Sequence, residues 1–336
     1  MKDNDYDYEL LDQNQQDADI RVKLNSLYSS PLSDILWFEL FDPSLLNTGY
    51  HKLYYYEHTL LKHIILFRND AKRKILQVIL QEYKISLTQI KNICSILFHE
   101  FDKVQQVIFE KIFIPNHSKL PKITFEKTSN DVIINLPESF NAYINSLGKS
   151  TREGVRINMK RIARDFVDFK FHYLEKSDIL FEHINNVVLL HRNRILATDV
   201  DERVCNIVHQ YDSTSGFGFL CVCTIDDKII GGTINSIIGE HAYSHVVGHS
   251  ESYNYYSLGQ LVLINTIQYL IEEKNIKYYH LSWGKQDYKF RLGGIDHELY
   301  TLRVFRNSGG KMMNDIKQRV KDNKTLYNLY LNFKNN

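Results

Sequence analysis

The stretch from Tyr255 to Gly294, YYSLGQLVLINTIQYLIEEKNIKYYHLSWGKQDYKFRLGG, constrains the fold more than any other part of the chain. Three strand-like runs, GFGFLCVCTI, KIIGGTINSII and HAYSHVVGHS, lead into it; an apolar helix opens at Ser257, and the strand IKYYHLSW follows. An apolar helix held between strands has to pack on a sheet. This predicts an α/β (α+β) fold, a mixed, mostly antiparallel sheet flanked by helices. The helix opens on a glycine, which costs roughly 0.5–1 kcal/mol relative to alanine, so Gly259 needs a steric reason. Ser257 can cap the helix, and Gln260 can complete a capping box. The amides of Leu258, Gly259 and Gln260 then lie in the first turn without intrahelical acceptors, at the positive end of the helix dipole. A phosphate or pyrophosphate can approach bare backbone there. The motif has neither the G-K-[ST] ending of a Walker A loop nor the three glycines of a dinucleotide fingerprint.

The first half of the chain has the same grammar. KLYYYEHT, KHIILFRND and KILQVILQEYKI read as an antiparallel meander after a loosely ordered lead-in of about 25 residues. SLTQIKNICSILFHEFDKVQQVIFEKIF then reads as a helix with Ile90, Ile93, Leu97, Phe101, Val104 and Ile108 on its buried face, and Ser86 with Gln89 has the form of a capping box. IPNHSKLP is the expected linker, and a length of 336 residues fits two domains. The repeated order of meander and helix predicts a duplicated α/β domain. A net charge of +1 gives no global pull toward nucleic acid or membrane. The acidic start is the reverse of a signal peptide, and no window reaches the 18 or more apolar residues of a membrane span, so a cytoplasmic protein is expected. Four cysteines are too few for a disulfide scaffold, and no H-x-x-x-H or paired-cysteine spacing offers a metal site.

Three sets of residues carry candidate chemistry. KSTREGVRINMKRIARDF, as a helix, places Val155, Met159, Ile162 and Phe166 on one face and Arg152, Arg156, Lys160 and Arg164 on another. That stripe suits an anionic co-substrate, with Arg152 and Arg156, nearest the helix start, as the first substrate contacts. Strict alternation along HAYSHVVGHS puts Tyr243, His245, Val247 and His249 on one face. Histidine titrates near neutrality, so His249, closest to the helix mouth, leads as base or water relay, with His245 second. The third set is Gly284, Asp287, Tyr288 and Lys289 in WGKQDYKFRLGG. No G-x-S-x-G nucleophile elbow is present.

INLPESFNAYINSLGKSTREGVRINMKRIARDF, YYSLGQLVLINTIQYL and WGKQDYKFRLGG together resemble three segments of the GNAT acetyltransferase superfamily. They are most similar to its CelD-type, polysaccharide-locus branch, which is related to the Fem-type peptidyltransferases. The match spans Ile134 to Gly294 with the expected order and intervals. The resemblance implies tandem GNAT-like domains: a degenerate one over residues 1–120, and an acyltransferase domain over 121–336 carrying the acyl-donor site. It also implies acetyl-CoA or another acyl-CoA as co-substrate, without metal. Backbone groups at the end of the fourth strand, Val247 and Gly248, would meet the pantetheine arm, and Ser257, Leu258, Gly259 and Gln260 the pyrophosphate. Gly284 would turn the chain so that Tyr288 and Lys289 face the reactive end. Tyr288 would protonate the leaving thiolate, Lys289 would hold an anion or the tetrahedral oxyanion, and Asp287 would orient them or act as base. The implied acceptor is a small amine, an amino sugar or nucleotide-linked amino sugar of surface polysaccharide synthesis. The branch carries Pro, Asp and an acidic residue where this chain has Leu258, His280 and Lys285. Two other readings stay open: a Fem-like transferase fed by aminoacyl-tRNA, and a non-catalytic binding protein on a GNAT scaffold.

Overall fold

The computed structural model describes residues 6–12, 15, 17–41, 49–115, 120–195, 218–312 and 315. The chain divides into two compact units, one of residues 1–17, 47–128 and 299–336, the other of residues 18–46 and 129–298. Residues 116–119 of the linker expected at 114–121, and most of the terminal helix expected after residue 305, fall outside the described residues.

In the first unit, β1 (Tyr6–Leu11), β2 (His51–Glu57), β3 (Leu60–Asp70) and β4 (Ile75–Val78) are successive antiparallel neighbours. Helix α3 (Leu87–Glu100) crosses over, and β5 (Gln106–Ile112) returns parallel to β4 with Ile75 opposite Gln106. β12 (Ile295–Phe305) adds antiparallel to β5. Within the lead-in expected to be loose, Tyr6–Leu11 is an edge strand paired along its whole length with β2. The capping box of α3 forms as expected, Gln89 N–H donating to Ser86 Oγ at 3.2 Å and Ser86 N–H to the Gln89 side chain at 3.0 Å. The helix stops at Glu100, short of Ile108. QVIFEKI is rich in residues that suit a pleated surface and alternates in burial as a strand, which overrides the helical spacing. Arg306 then takes up the carbonyls at the helix end, donating to Phe98 and Phe101 at 2.7 Å each and to Val104 at 2.6 Å.

The second unit repeats this order. β8 (Gly218–Ile225), β9 (Lys228–Ile238) and β10 (His241–His249) form the meander, α7 (Leu258–Glu272) crosses over, and β11 (Tyr278–His280) returns parallel to β10. β7 (Lys170–Glu175) flanks β8 as β1 flanks β2, and β6 (Ile123–Asn135) flanks β11 as β12 flanks β5. Each unit is a mixed, mostly antiparallel sheet with helices against it, and the duplication read from the sequence is a duplication of topology.

Two apolar layers cover the second sheet. On one face Leu258, Leu261, Val262, Ile267 and Leu270 of α7 pack with Tyr143 of α4 (Phe140–Ser146) and with Val155 and Ile162 of α5 (Lys149–Asp165). An all-round apolar helix is stable only when enclosed in this way. On the other face Val187 and Val188 of α6 (Phe181–Ile195) meet Leu220, Val222, Ile234 and Val246. The segment carrying α1 (Ile20–Tyr28) and α2 (Ile35–Phe41) belongs to this unit, and Tyr243 Oη donates to the Ser29 carbonyl at 2.9 Å.

Helix α6 sits unusually close to the sheet because the register pairs Gly248 with Gly232 beneath it. A Cβ on Gly248 would lie 2.1 Å from the Val187 carbonyl oxygen, and one on Gly232 2.8 Å from a Val187 methyl. Gly248→Ala is therefore expected to lose about 2–3 kcal/mol in chemical denaturation through overpacking against backbone. Gly154→Ala, mid-helix in α5 with nothing within 4 Å, is expected to gain about 0.5–1 kcal/mol. Equal effects in the two variants would refute this account of the docking.

Candidate functional site

The second sheet has an opening at its centre. β10 pairs with β11 only through His241, Ala242 and Tyr243, opposite Tyr278, Tyr279 and His280. It then runs on to His249 with no strand on that edge among the described residues. A register shift between Ser244 and Val246 makes His245 a bulge at the point where the two strands part. Ser250 N–H donates to Ile230 O of β9 at 2.8 Å. Antiparallel alternation then turns the backbone groups of Val247 and His249 away from β9, into the opening.

The bulge also corrects the expected alternation, because one extra residue resets which side chains share a face. Val247 is opposite Thr233, whose hydroxyl meets Thr266 of α7 at 2.8 Å, so Val247 and His249 face α7. Tyr243 is opposite Ser236 on the other face, and Ser236 Oγ lies 2.8 Å from His245 Nε2. Trp37 stacks on the His245 ring at 5.2 Å, and burial lowers the pKa of His245 to about 4. The two histidines do not serve one site.

At the helix mouth Ser257 is left-handed (φ 51°, ψ 45°) and its side chain makes no cap bond, so the expected capping box is absent. Its carbonyl instead accepts the N–H groups of Gln260 at 2.9 Å and Leu261 at 3.2 Å. Gln260 is therefore engaged, and Leu258 and Gly259 hold the amides that precede the first intrahelical bond. Gly259 has a reason the sequence did not reveal: a Cβ there would stand 2.7 Å from His249 Nδ1 and 2.8 Å from Cε1. The His249 ring lies against the helix mouth.

The floor of the opening is polar and buried. His280 Nδ1 lies 2.5 Å from Asp131 Oδ2, and its Nε2 lies 2.9 Å from His241 Nδ1. Asp131, on β6, thus brings a carboxylate to the place where the resemblance expects an acid at position 280. Burial, with His280 beside it, lowers the pKa of His241 to about 4. Lys289, in α8 (Asp287–Arg291), is buried and donates to the carbonyls of Ser282 at 2.9 Å and Trp283 at 2.6 Å. Desolvation pulls its pKa down to about 8, while Asp131 opposes the shift. Lys289 pins the turn after β11, in which Gly284 takes φ +91°. Tyr288 is half-buried against the α7-side core, and Asp287 is exposed.

On α5 the end near the mouth is the C-terminal one. Tyr256 Oη donates to Asp165 at 3.0 Å, the Arg161 guanidinium lies 5.2 Å from the Tyr255 ring, and Arg164 pairs with Asp165 at 2.8 Å. Arg152 donates to the Asn145 carbonyl at 2.8 Å, and Arg156 is exposed. At 1.5 Å of rise per residue Arg152 stands about 14 Å along the helix from Arg161. One residue escaped the sequence reading altogether: His191 of α6, whose Nδ1 lies 2.8 Å from the Val247 carbonyl oxygen. Its signal was the glycine pair beneath α6, legible only once the register was known.

A cleft of about 550 Å³ lies on the α6 face, lined in part by His172, Glu182, His183, Asn186, Asp227 and Ile229. It sits at the same end of the sheet as the opening, since Gly231, two residues beyond Ile229 on β9, is the partner of His249. Among the described residues no group of His, Cys, Asp or Glu is arranged for a metal ion, and no helix is long and apolar enough to cross a membrane.

Residues 149–290 match the model of the Acetyltransferase (GNAT) domain. No curated protein matches the sequence. Among solved structures the fold is similar to that of FemX, at 10% identity and a TM-score of 0.63 over 91% of this chain and 99% of the other. It is also similar to a conserved protein of unknown function from Bacteroides thetaiotaomicron, at 11% identity and a TM-score of 0.55 over 89% and 100%. Residues 149–290 thus carry the match to the GNAT acetyltransferase domain, and the chain shares its fold along nearly its whole length with FemX.

Proposed function

We propose that the chain is an N-acyltransferase that takes an acyl group from acyl-CoA and delivers it to the amine of a small polar acceptor. The observation that carries this reading is the edge of β10 beside the mouth of α7, with which no strand pairs beyond Tyr243 among the described residues. The Val247 N–H and the backbone groups of His249 can pair with a pantetheine arm as an added strand would. The amides of Leu258 and Gly259 can receive its pyrophosphate. Arg161, stacked on Tyr255 at the same mouth, supplies the cation nearest the phosphates.

In this reading Tyr288 gives its proton to the departing thiolate, and Lys289 positions it by fixing the turn between β11 and α8. Asp287 stays solvent-facing and contributes charge at the rim. The acceptor enters from the α6 face, where the cleft falls within the usual 300–1,000 Å³ of small-ligand sites and is rich in polar groups. An amino sugar or nucleotide-linked amino sugar suits that lining and follows from the polysaccharide-locus resemblance. The basic stripe of α5, with Arg156 and Lys160 exposed, favours the aminoacyl-tRNA alternative.

Acetyl-CoA or CoA at a hundredfold excess over its Kd is expected to stabilise the protein by about 2.7 kcal/mol, read as a rise in thermal midpoint. No shift with either ligand, but a steeply salt-dependent one with aminoacyl-tRNA, would transfer the assignment to the alternative. Gly259→Ala is expected to cost about 1–3 kcal/mol by crowding His249, and the His249→Ala, Gly259→Ala double variant to regain it. If it does not, the glycine is there for another reason.

Tyr288→Phe is expected to lower kcat with acetyl-CoA about 10²–10⁴-fold while the denaturation midpoint stays put. Lys289→Met is expected to lower stability by about 1–3 kcal/mol, because two carbonyls lose their donor. A Tyr288→Phe enzyme with full turnover would remove Tyr288 from the mechanism.

A further inference from the structure

The two histidines the sequence offered as base are both placed badly for it, and Asp287, the third candidate, is exposed. His249 lies against the α7 mouth beside Gly259, and His245 is held between Trp37 and Ser236 on the opposite face. His191 is placed otherwise. The glycine pair Gly232 and Gly248 lets α6 settle onto β10, and this brings the His191 ring to the Val247 carbonyl, which points into the opening between β10 and β11. A carbonyl can only accept, so Nδ1 carries the hydrogen and donates. In the neutral ring Nε2 then holds the lone pair, as in a general base whose tautomer is set by a backbone carbonyl. Helix α6 also joins the two places the reaction has to connect. Asn186 lines the polar cleft, and His191 is five residues further on, about 7.5 Å along the axis.

We infer that His191 is the catalytic base for acyl transfer, taking the proton from the acceptor amine at the open edge of β10. This rests on the acyltransferase reading above. As the amine nitrogen bonds to the thioester carbon, one of its protons passes to His191 Nε2. The carbon–sulfur bond breaks with its electron pair going to sulfur, and the thiolate takes the Tyr288 hydroxyl proton. His191 then returns its proton to water, and Tyr288 regains one from water. The products are the amide and CoA, and nothing else is consumed.

His191→Asn tests the assignment, because the asparagine side-chain N–H can stand where Nδ1 stands and keep the Val247 bond while offering no base. With acetyl-CoA and an amino-sugar acceptor, kcat is expected to fall about 10²–10⁴-fold. The KM for acetyl-CoA and the thermal midpoint should be unchanged. His191→Ala should show the same loss and recover part of its rate when imidazole is added, which a purely structural role would not produce. Wild-type turnover with His191→Asn equally active, or no imidazole recovery in His191→Ala, overturns the inference and leaves the acyltransferase reading intact. A wild-type protein that neither binds CoA in the thermal assay nor turns over acetyl-CoA overturns both.

Discussion

The second unit is organised by the parting of β10 from β11. Three residue pairs hold the parallel strands together, and the bulge at His245 then carries β10 away. An unpaired strand edge is costly to leave bare, because its N–H and C=O groups have to be satisfied by something. Here the base of the opening is closed by side chains, with Asp131, His280 and His241 hydrogen-bonded in line and Lys289 tying down the next turn. Above that floor no strand pairs with the edge among the described residues, the Val247 carbonyl accepts from His191, and the helix that follows presents the first-turn amides of Leu258 and Gly259 at the same end. Strand edge and helix mouth are consecutive in the chain, so one short segment, His241 to Gly259, builds both halves of the proposed donor site.

Much of this was legible from residue patterns. The meanders, the long apolar helix, the α3 capping box and the repeated order of elements follow from local periodicity and turn chemistry, which act over a few residues. What failed was register and long-range contact. A single bulged residue at His245 reverses the face of everything after it, and nothing in HAYSHVVGHS distinguishes a bulged strand from a regular one. Ser257 looked like a cap because its type and spacing are right, yet its left-handed backbone aims the side chain elsewhere. Helix α3 was read too long because Val104 and Ile108 keep helical spacing while lying in a turn and a strand. The basic stripe of α5 follows from spacing, but which end meets the helix mouth depends on Phe166 packing on Tyr253 and Tyr256. His191 needed two glycines on neighbouring strands to be aligned, a fact of sheet register alone.

The duplication sharpens why the proposed site falls in the second unit. The first unit has the same order of strands around its crossover helix, so it has the same place for an opening, between β4 and β5. That place is laced shut. Beyond β4 the chain keeps bonding across the gap: Glu82 N–H to the Lys111 carbonyl at 2.8 Å, Phe113 N–H to Tyr83 at 3.0 Å, and Ile85 N–H to Phe113 at 3.2 Å. Its helix mouth is closed too, since Ser86 and Gln89 satisfy each other in the capping box. In the second unit neither closure is present among the described residues. The bulge prevents the strand edges from meeting, and the left-handed Ser257 leaves the first amides of α7 uncapped by its side chain. Two local departures from regular geometry separate a sheet that only packs from one that can hold a ligand, and both fall between Tyr243 and Gly259.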